Sequence, residues 1–139
     1  MAGPLSRVPR PLDFDAAAFR RLAPFDLLAI LAFVGIGEVS HGARSLGVLP
    51  LLVITTATFA LGWLAVAPLL GAYGTRTADA WLDGTVAALP SWPLAAGVAQ
   101  ALRSTTHIPG NAALSFYVIS VIFGALLLAG ARFVGTRNR

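Results

Sequence analysis

The chain has no cysteine and no lysine; all ten basic residues are arginine, and a single glutamate, Glu38, accompanies five aspartates. The missing thiols exclude a disulfide scaffold, thiolate metal sites and cysteine nucleophiles. Charge is scarce as well: charged residues make up 12% of the 139 positions against 57% hydrophobic ones. With a mean hydropathy of +0.78, a soluble domain of this size could not hide its apolar surface. There is no glycine-rich phosphate loop, no serine in a nucleophile-elbow context and no pair of deep acids at catalytic spacing. An enzyme is therefore the minority reading. A net charge of +4 and a pI near 11.1 invite nucleic acid. The arginines, however, lie at the termini or between apolar runs, where they meet lipid headgroups and set topology, so the expected partner is a bilayer and not nucleic acid.

What is present is a series of apolar runs. Residues 1–24 open with a Pro/Arg-rich stretch that reads as extended. A short interfacial helix follows, capped by Asp13 or Asp15, with Phe19 and Leu22 dipping into the lipid interface and Arg20 and Arg21 at the headgroups. Pro24 is expected to end that helix. No secretory signal is expected here, because the apolar run arrives too late, so the first span remains as an anchor. Four spans are expected, at about residues 25–39, 46–73, 80–102 and 112–131, against the ~17 to 25 residues that cross a hydrocarbon core. The third contains Pro90 and Pro93, which should kink or break it and place it against protein instead of lipid. Its small residues Ala95, Ala96, Gly97 and Ala99 suit close helix packing.

The expected architecture is thus all-α: a four-helix transmembrane bundle over residues 25–132, with a cytoplasmic segment before it and a cytoplasmic tail at 133–139. Four spans put both termini on one side. That side then holds eight of the ten arginines, while Arg44 and Arg103 lie on the other, so the positive-inside rule makes the termini cytoplasmic and the protein multi-pass in the cell membrane.

Threading sorts the rare polar residues into two rims. Glu38, Ser40, His41, Arg44, Arg103 and His107 fall on the outer side, and a salt-bridge and hydrogen-bond cluster is the favoured reading, since charges near lipid persist when paired or snorkelled. A two-histidine, one-carboxylate metal site from Glu38, His41 and His107, or a heme on the two histidines, is the weaker alternative. A carboxylate-bridged metal bundle would require glutamates this chain lacks, and no cofactor is expected. On the inner side stand Arg20, Arg21, Asp26, Asp79 and Asp83. Asp79 and Asp83 suit the positive end of the third helix. Asp26 is expected to snorkel to Arg20 or Arg21 rather than to relay protons. The hydroxyls of Thr55, Thr56 and Thr58 are expected to bond back to their own helix or to neighbours rather than to line a pore.

An ordered set of short motifs runs through the spans: Asp26-x6-Phe33-x3-Gly37-x2-Ser40-His41, then Phe59, Gly62 and Trp63 within a Thr-rich segment, Arg103, Ser115-Phe116, and a closing Gly130-x-Arg132. In this order and spacing the chain resembles the small prokaryotic integral-membrane family catalogued as domain of unknown function 3054. The resemblance implies a four-helix multi-pass membrane protein and carries no activity with it. The reading that follows is a non-catalytic accessory or assembly subunit, partnered by other membrane subunits or by copies of itself. The alternatives are a small oligomeric transporter or channel lined by Asp26, the second-span threonines and the broken third span, and a metal- or heme-dependent membrane enzyme.

Overall fold

The computed structural model describes residues 10–40, 47, 49–104 and 114–137, with the backbone alone at 40 and 114–116. Among the described residues there are five helices and no strand: α1 Ala16–Ser40, α2 Leu49–Val66, α3 Trp81–Ala88, α4 Ser91–Arg103 and α5 Leu114–Arg137. Three of them, Ala16–Val39, Leu49–Val66 and Tyr117–Arg137, are long and apolar enough to cross a membrane.

Asp15 caps α1, its Oδ1 accepting the Ala17 N–H at 3.2 Å. Pro24 does not end this helix as the sequence suggested; it lies inside α1, on the exposed side. The proline forfeits one backbone bond. The buried stripe Ala18, Leu22, Asp26, Ile30, Phe33 and Val34 nevertheless passes it without a break, so packing carries the helix across. The same stripe corrects the interfacial role of Leu22 and Phe19: Leu22 is buried, and the Phe19 ring meets Tyr73 edge-on, with centroids 5.0 Å apart.

Helix α2 stops at Val66, ahead of Pro68, and residues 67–79 turn tightly instead of extending the span to 73. The Thr58 hydroxyl donates back to the Ile54 carbonyl at 2.7 Å, within its own helix. The third run forms two helices. Leu89 and Pro90 between them keep right-handed helical dihedrals, but Pro90 has no N–H to continue the ladder. Pro93 falls in the first turn of α4, where a missing N–H costs nothing. Helix α5 continues to Arg137, beyond the expected end of the last span. Phe133 stays ordered in it, edge-on to Trp81 at 5.7 Å.

Contacts across the bundle give its directions. Asp26 meets Arg132 and Arg21 meets Gly135, so α1 and α5 run antiparallel and their terminal ends lie together. The Trp81 indole N–H donates to the Ala129 carbonyl and that of Trp92 to the Ser120 carbonyl. Helices α3 and α4 therefore track α5 in one direction, as a single interrupted element. Phe33 packs on Phe59 at 5.3 Å, while Asp26 and Trp63 both reach Tyr73, so α1 opposes α2.

The middle of the bundle is an aromatic core. The Trp92 ring stacks on Phe59 at 5.8 Å and meets Phe33 edge-on at 5.7 Å and Trp63 at 6.3 Å. Gly124 of α5 makes room for it, because a Cβ there would collide with the Trp92 indole. Ala95, Ala96 and Ala99 are buried, and Gly62 of α2 sits against the Ala95 carbonyl. The three alanines of the third run are thus spent on contacts inside the chain, whereas Gly97 has open space beside it.

Candidate functional site

One step from the aromatic core towards the termini lies a buried ion pair. The Arg132 guanidinium engages Asp26 in a fork, with Nε to Oδ1 at 3.0 Å and Nη2 to Oδ2 at 2.8 Å. Both side chains are fully buried. Such parallel bonds to a carboxylate are among the strongest side-chain contacts a protein makes. Nη1 turns to backbone oxygens, Ala72 at 2.7 Å and Gly84 at 3.4 Å, so every nitrogen of the guanidinium is engaged. The Tyr73 hydroxyl donates to Asp26 Oδ2 at 2.6 Å and accepts the Trp63 indole N–H at 2.7 Å. The cation also lies 4.9 Å from the centre of the Tyr73 ring. Burial, and then the Asp26 charge, push the Tyr73 pKa well above its ordinary value, which keeps the hydroxyl a donor.

The location follows from the elements. Asp26 belongs to the buried stripe of α1, Arg132 projects inward from α5, and Tyr73 is brought back by the turn after α2, which supplies Trp63. The peptide oxygen of Gly84 comes from α3. One network therefore ties α1, α2, the connecting turn, α3 and α5 together. Chemically it is a satisfied charge pair: its carboxylate is neutralised, hydrogen-bonded on both oxygens and sealed from water.

This placement corrects the expectation for Asp26. It does not snorkel to Arg20 or Arg21, because its position on the buried stripe turns it away from them. Arg20 is exposed, and the Arg21 Nε donates to the Gly135 carbonyl at 2.9 Å, near the end of α5. Asp79 is exposed ahead of α3, and Asp83 is half-buried in its first turn. Neither Tyr73 nor Trp63 is an expected site residue from the sequence, where Arg132 stands among the juxtamembrane arginines. The available signal was that Asp26 and Arg132 each have apolar residues on both sides, which obliges them to find partners.

At the opposite end, Glu38 on α1 and Arg103 on α4 are both half-buried. The Glu38 carboxylate and the Arg103 guanidinium attract one another. Arg103 Nη1 also donates to Gln100 Oε1 at 3.3 Å. The structure thus brings Glu38 and Arg103 into electrostatic reach of each other. His41, Arg44 and His107 lie outside the described residues, as does the Ser40 side chain, so the suggested metal set of Glu38, His41 and His107 has only its carboxylate within them. Among the described residues no group of three His, Cys, Asp or Glu side chains gathers to hold a metal ion.

The family described as protein of unknown function (DUF3054) matches residues 23–135. The chain belongs to this family. The matched stretch begins just before Asp26 and closes just after Arg132, so the family region contains both halves of the ion pair. Six of the residues that carry the resemblance, Asp26, Phe33, Phe59, Gly62, Trp63 and Arg132, fall in the aromatic core or in the network beside it. No curated protein matches the chain, and no solved structure does.

Proposed function

We propose that this protein is a four-span protein of the cytoplasmic membrane that acts as a non-catalytic accessory or assembly subunit through its outer helix faces. In this reading α3 and α4 together make the third crossing, since both follow α5 in one direction over Trp81 to Trp92. The termini are cytoplasmic. With Arg132 withdrawn into the core, seven of the other nine arginines belong to the terminal side and only Arg44 and Arg103 to the far side.

The observation that carries the subunit reading is the completeness of the Asp26–Arg132 network. An acid meant for proton or ion transfer needs a free oxygen and an approach. Asp26 has both oxygens bonded to Arg132, with Tyr73 and then Trp63 packed against it. Its chemistry is spent on holding helices together, which leaves the outer faces for partners. A transporter reading would require a water path past Asp26, and these two aromatic side chains occupy that path.

The test is particle mass after extraction in mild detergent, combined with quantitation of whatever copurifies. A subunit migrates in a particle larger than one copy, with a partner or further copies in fixed ratio. Recovery of lone monomers from native membranes, with no such ratio after crosslinking, overturns the reading.

A further inference from the structure

The turn that presents Tyr73 is itself held by a second piece of chain. Residues 10–15 run across it ahead of α1 and bind its backbone: the Leu12 N–H donates to the Leu69 carbonyl at 2.9 Å, and the Asp15 N–H to the Tyr73 carbonyl at 2.8 Å. The Asp13 carboxylate accepts both the Thr75 N–H at 3.1 Å and the Thr75 hydroxyl at 3.2 Å. The fit is close. Gly71, at φ 83°, lies under the Arg10 carbonyl with no room for a Cβ.

Leu12 has φ 66°, a conformation that a leucine holds only where its surroundings over-determine it. Its side chain is 76% exposed, so its own packing does not impose that angle. Leu12 is the third residue of a β-turn, with Pro11 before it and the Asp13 N–H donating to the Arg10 carbonyl at 3.1 Å, and the bonds to the turn after α2 hold that β-turn in place. On the other side of the turn, the Ala72 carbonyl accepts Arg132 and the Tyr73 hydroxyl donates to Asp26. The segment is thus linked to the ion pair through Tyr73, whose carbonyl it binds, and the neighbouring Ala72.

We propose that residues 10–15 form a releasable strap that holds the turn shut over the Asp26–Arg132 pair and keeps water from it. The Asp13 bonds to Thr75 are at the exposed surface, so they are the part of the strap open to competition from outside. Releasing them frees the turn and exposes the charge pair at the terminal end of the bundle while the aromatic core beyond it stays packed. This device is independent of whether the protein serves as a subunit.

Because the chain has no cysteine, one introduced thiol reports on the seal. Ala72→Cys places it at a fully buried position beside Arg132, and its reaction with a water-soluble maleimide is followed on the purified full-length protein. Labelling is slow with the strap intact and rises about tenfold or more with Asp13→Ala, as expected for losing two hydrogen bonds to a carboxylate. Leu12→Pro, which removes the N–H and forbids the positive φ, raises it further. Leu12→Gly keeps both and leaves labelling slow. Equal rates with and without Asp13→Ala, or fast labelling with the strap intact, overturn the proposal. Should Ala72→Cys not fold, hydrogen exchange on the cysteine-free chain replaces it. Asp13→Ala must then speed exchange in residues 67–79 and leave the middle of α5 unchanged, and a uniform rise in all helices also overturns the strap.

Discussion

The two ends of the bundle each bring an acid on α1 near an arginine from another helix, and they do so in opposite ways. At the terminal end Asp26 and Arg132 are sealed, forked together and backed by Tyr73, Trp63 and two backbone carbonyls. At the far end Glu38 and Arg103 are half-buried, and Arg103 turns part of its guanidinium to Gln100 on its own helix. The charges are alike; the surroundings differ. A pair in water gains little from its attraction, because solvent serves each charge nearly as well. A sealed pair has no such substitute, so each member becomes indispensable to the other. The difference locates what organises this fold: not the number of charges at an end but whether water can replace a partner.

The largest effect is therefore expected from Arg132→Met, which leaves Asp26 buried and unpaired. Thermal unfolding in mild detergent should show a loss of roughly 3–5 kcal/mol, the range for breaking a buried pair from one side. Adding Asp26→Leu should recover more than half of that loss, since no naked charge then remains. The rest reflects the Tyr73 hydroxyl and the Ala72 carbonyl left without partners. If Arg132→Met cost less than about 1 kcal/mol, the range of exposed pairs, the two ends would be equivalent and the network no organiser.

Tyr73→Phe sits next in order. It removes one donor from Asp26 and, among the described residues, the acceptor of the Trp63 indole N–H. An unpaired buried donor costs about 1–3 kcal/mol. The same unfolding measurement should place Tyr73→Phe between the Arg132 and Glu38 variants. Combining it with Trp63→Phe should cost less than the two single losses added, because the second change removes the group the first had orphaned. Strict additivity would mean the hydroxyl and the indole do not act as one unit.

How far the sequence leads depends on whether a feature is local. Apolar runs and the Asp15 cap are written within a few residues of where they act, and an all-helical bundle could be read from them. Boundaries failed where packing overrode a local signal: Pro24 lies inside α1 because the buried stripe continues past it, and α5 runs past Arg132 because that arginine points inward instead of marking an interface. The site was half legible. Asp26 stood out as an acid in an apolar run, but its partner is 106 positions away, and no pattern of spacing points from one to the other. Tyr73 falls at the end of the expected second span, because the sequence does not show that the chain doubles back after Val66 to bring it inside.

The smallest effect belongs to the far end, and it gives the comparison its finest test. Glu38→Gln removes the acid and leaves Arg103 its bond to Gln100, so the loss should stay below about 1 kcal/mol, as for pairs that water can serve. Salt separates the two ends more sharply than size does. Raising ionic strength screens exposed charges over roughly 10 Å at 0.1 M and less at higher salt. The cost of Glu38→Gln should therefore shrink towards zero in concentrated salt, whereas that of Arg132→Met should stay nearly constant, because ions do not reach a sealed pair. Unfolding of both variants across a salt series reads this directly. A Glu38→Gln cost that ignored salt would mean that water is excluded at the far end too, and burial would then no longer be what distinguishes the two ends.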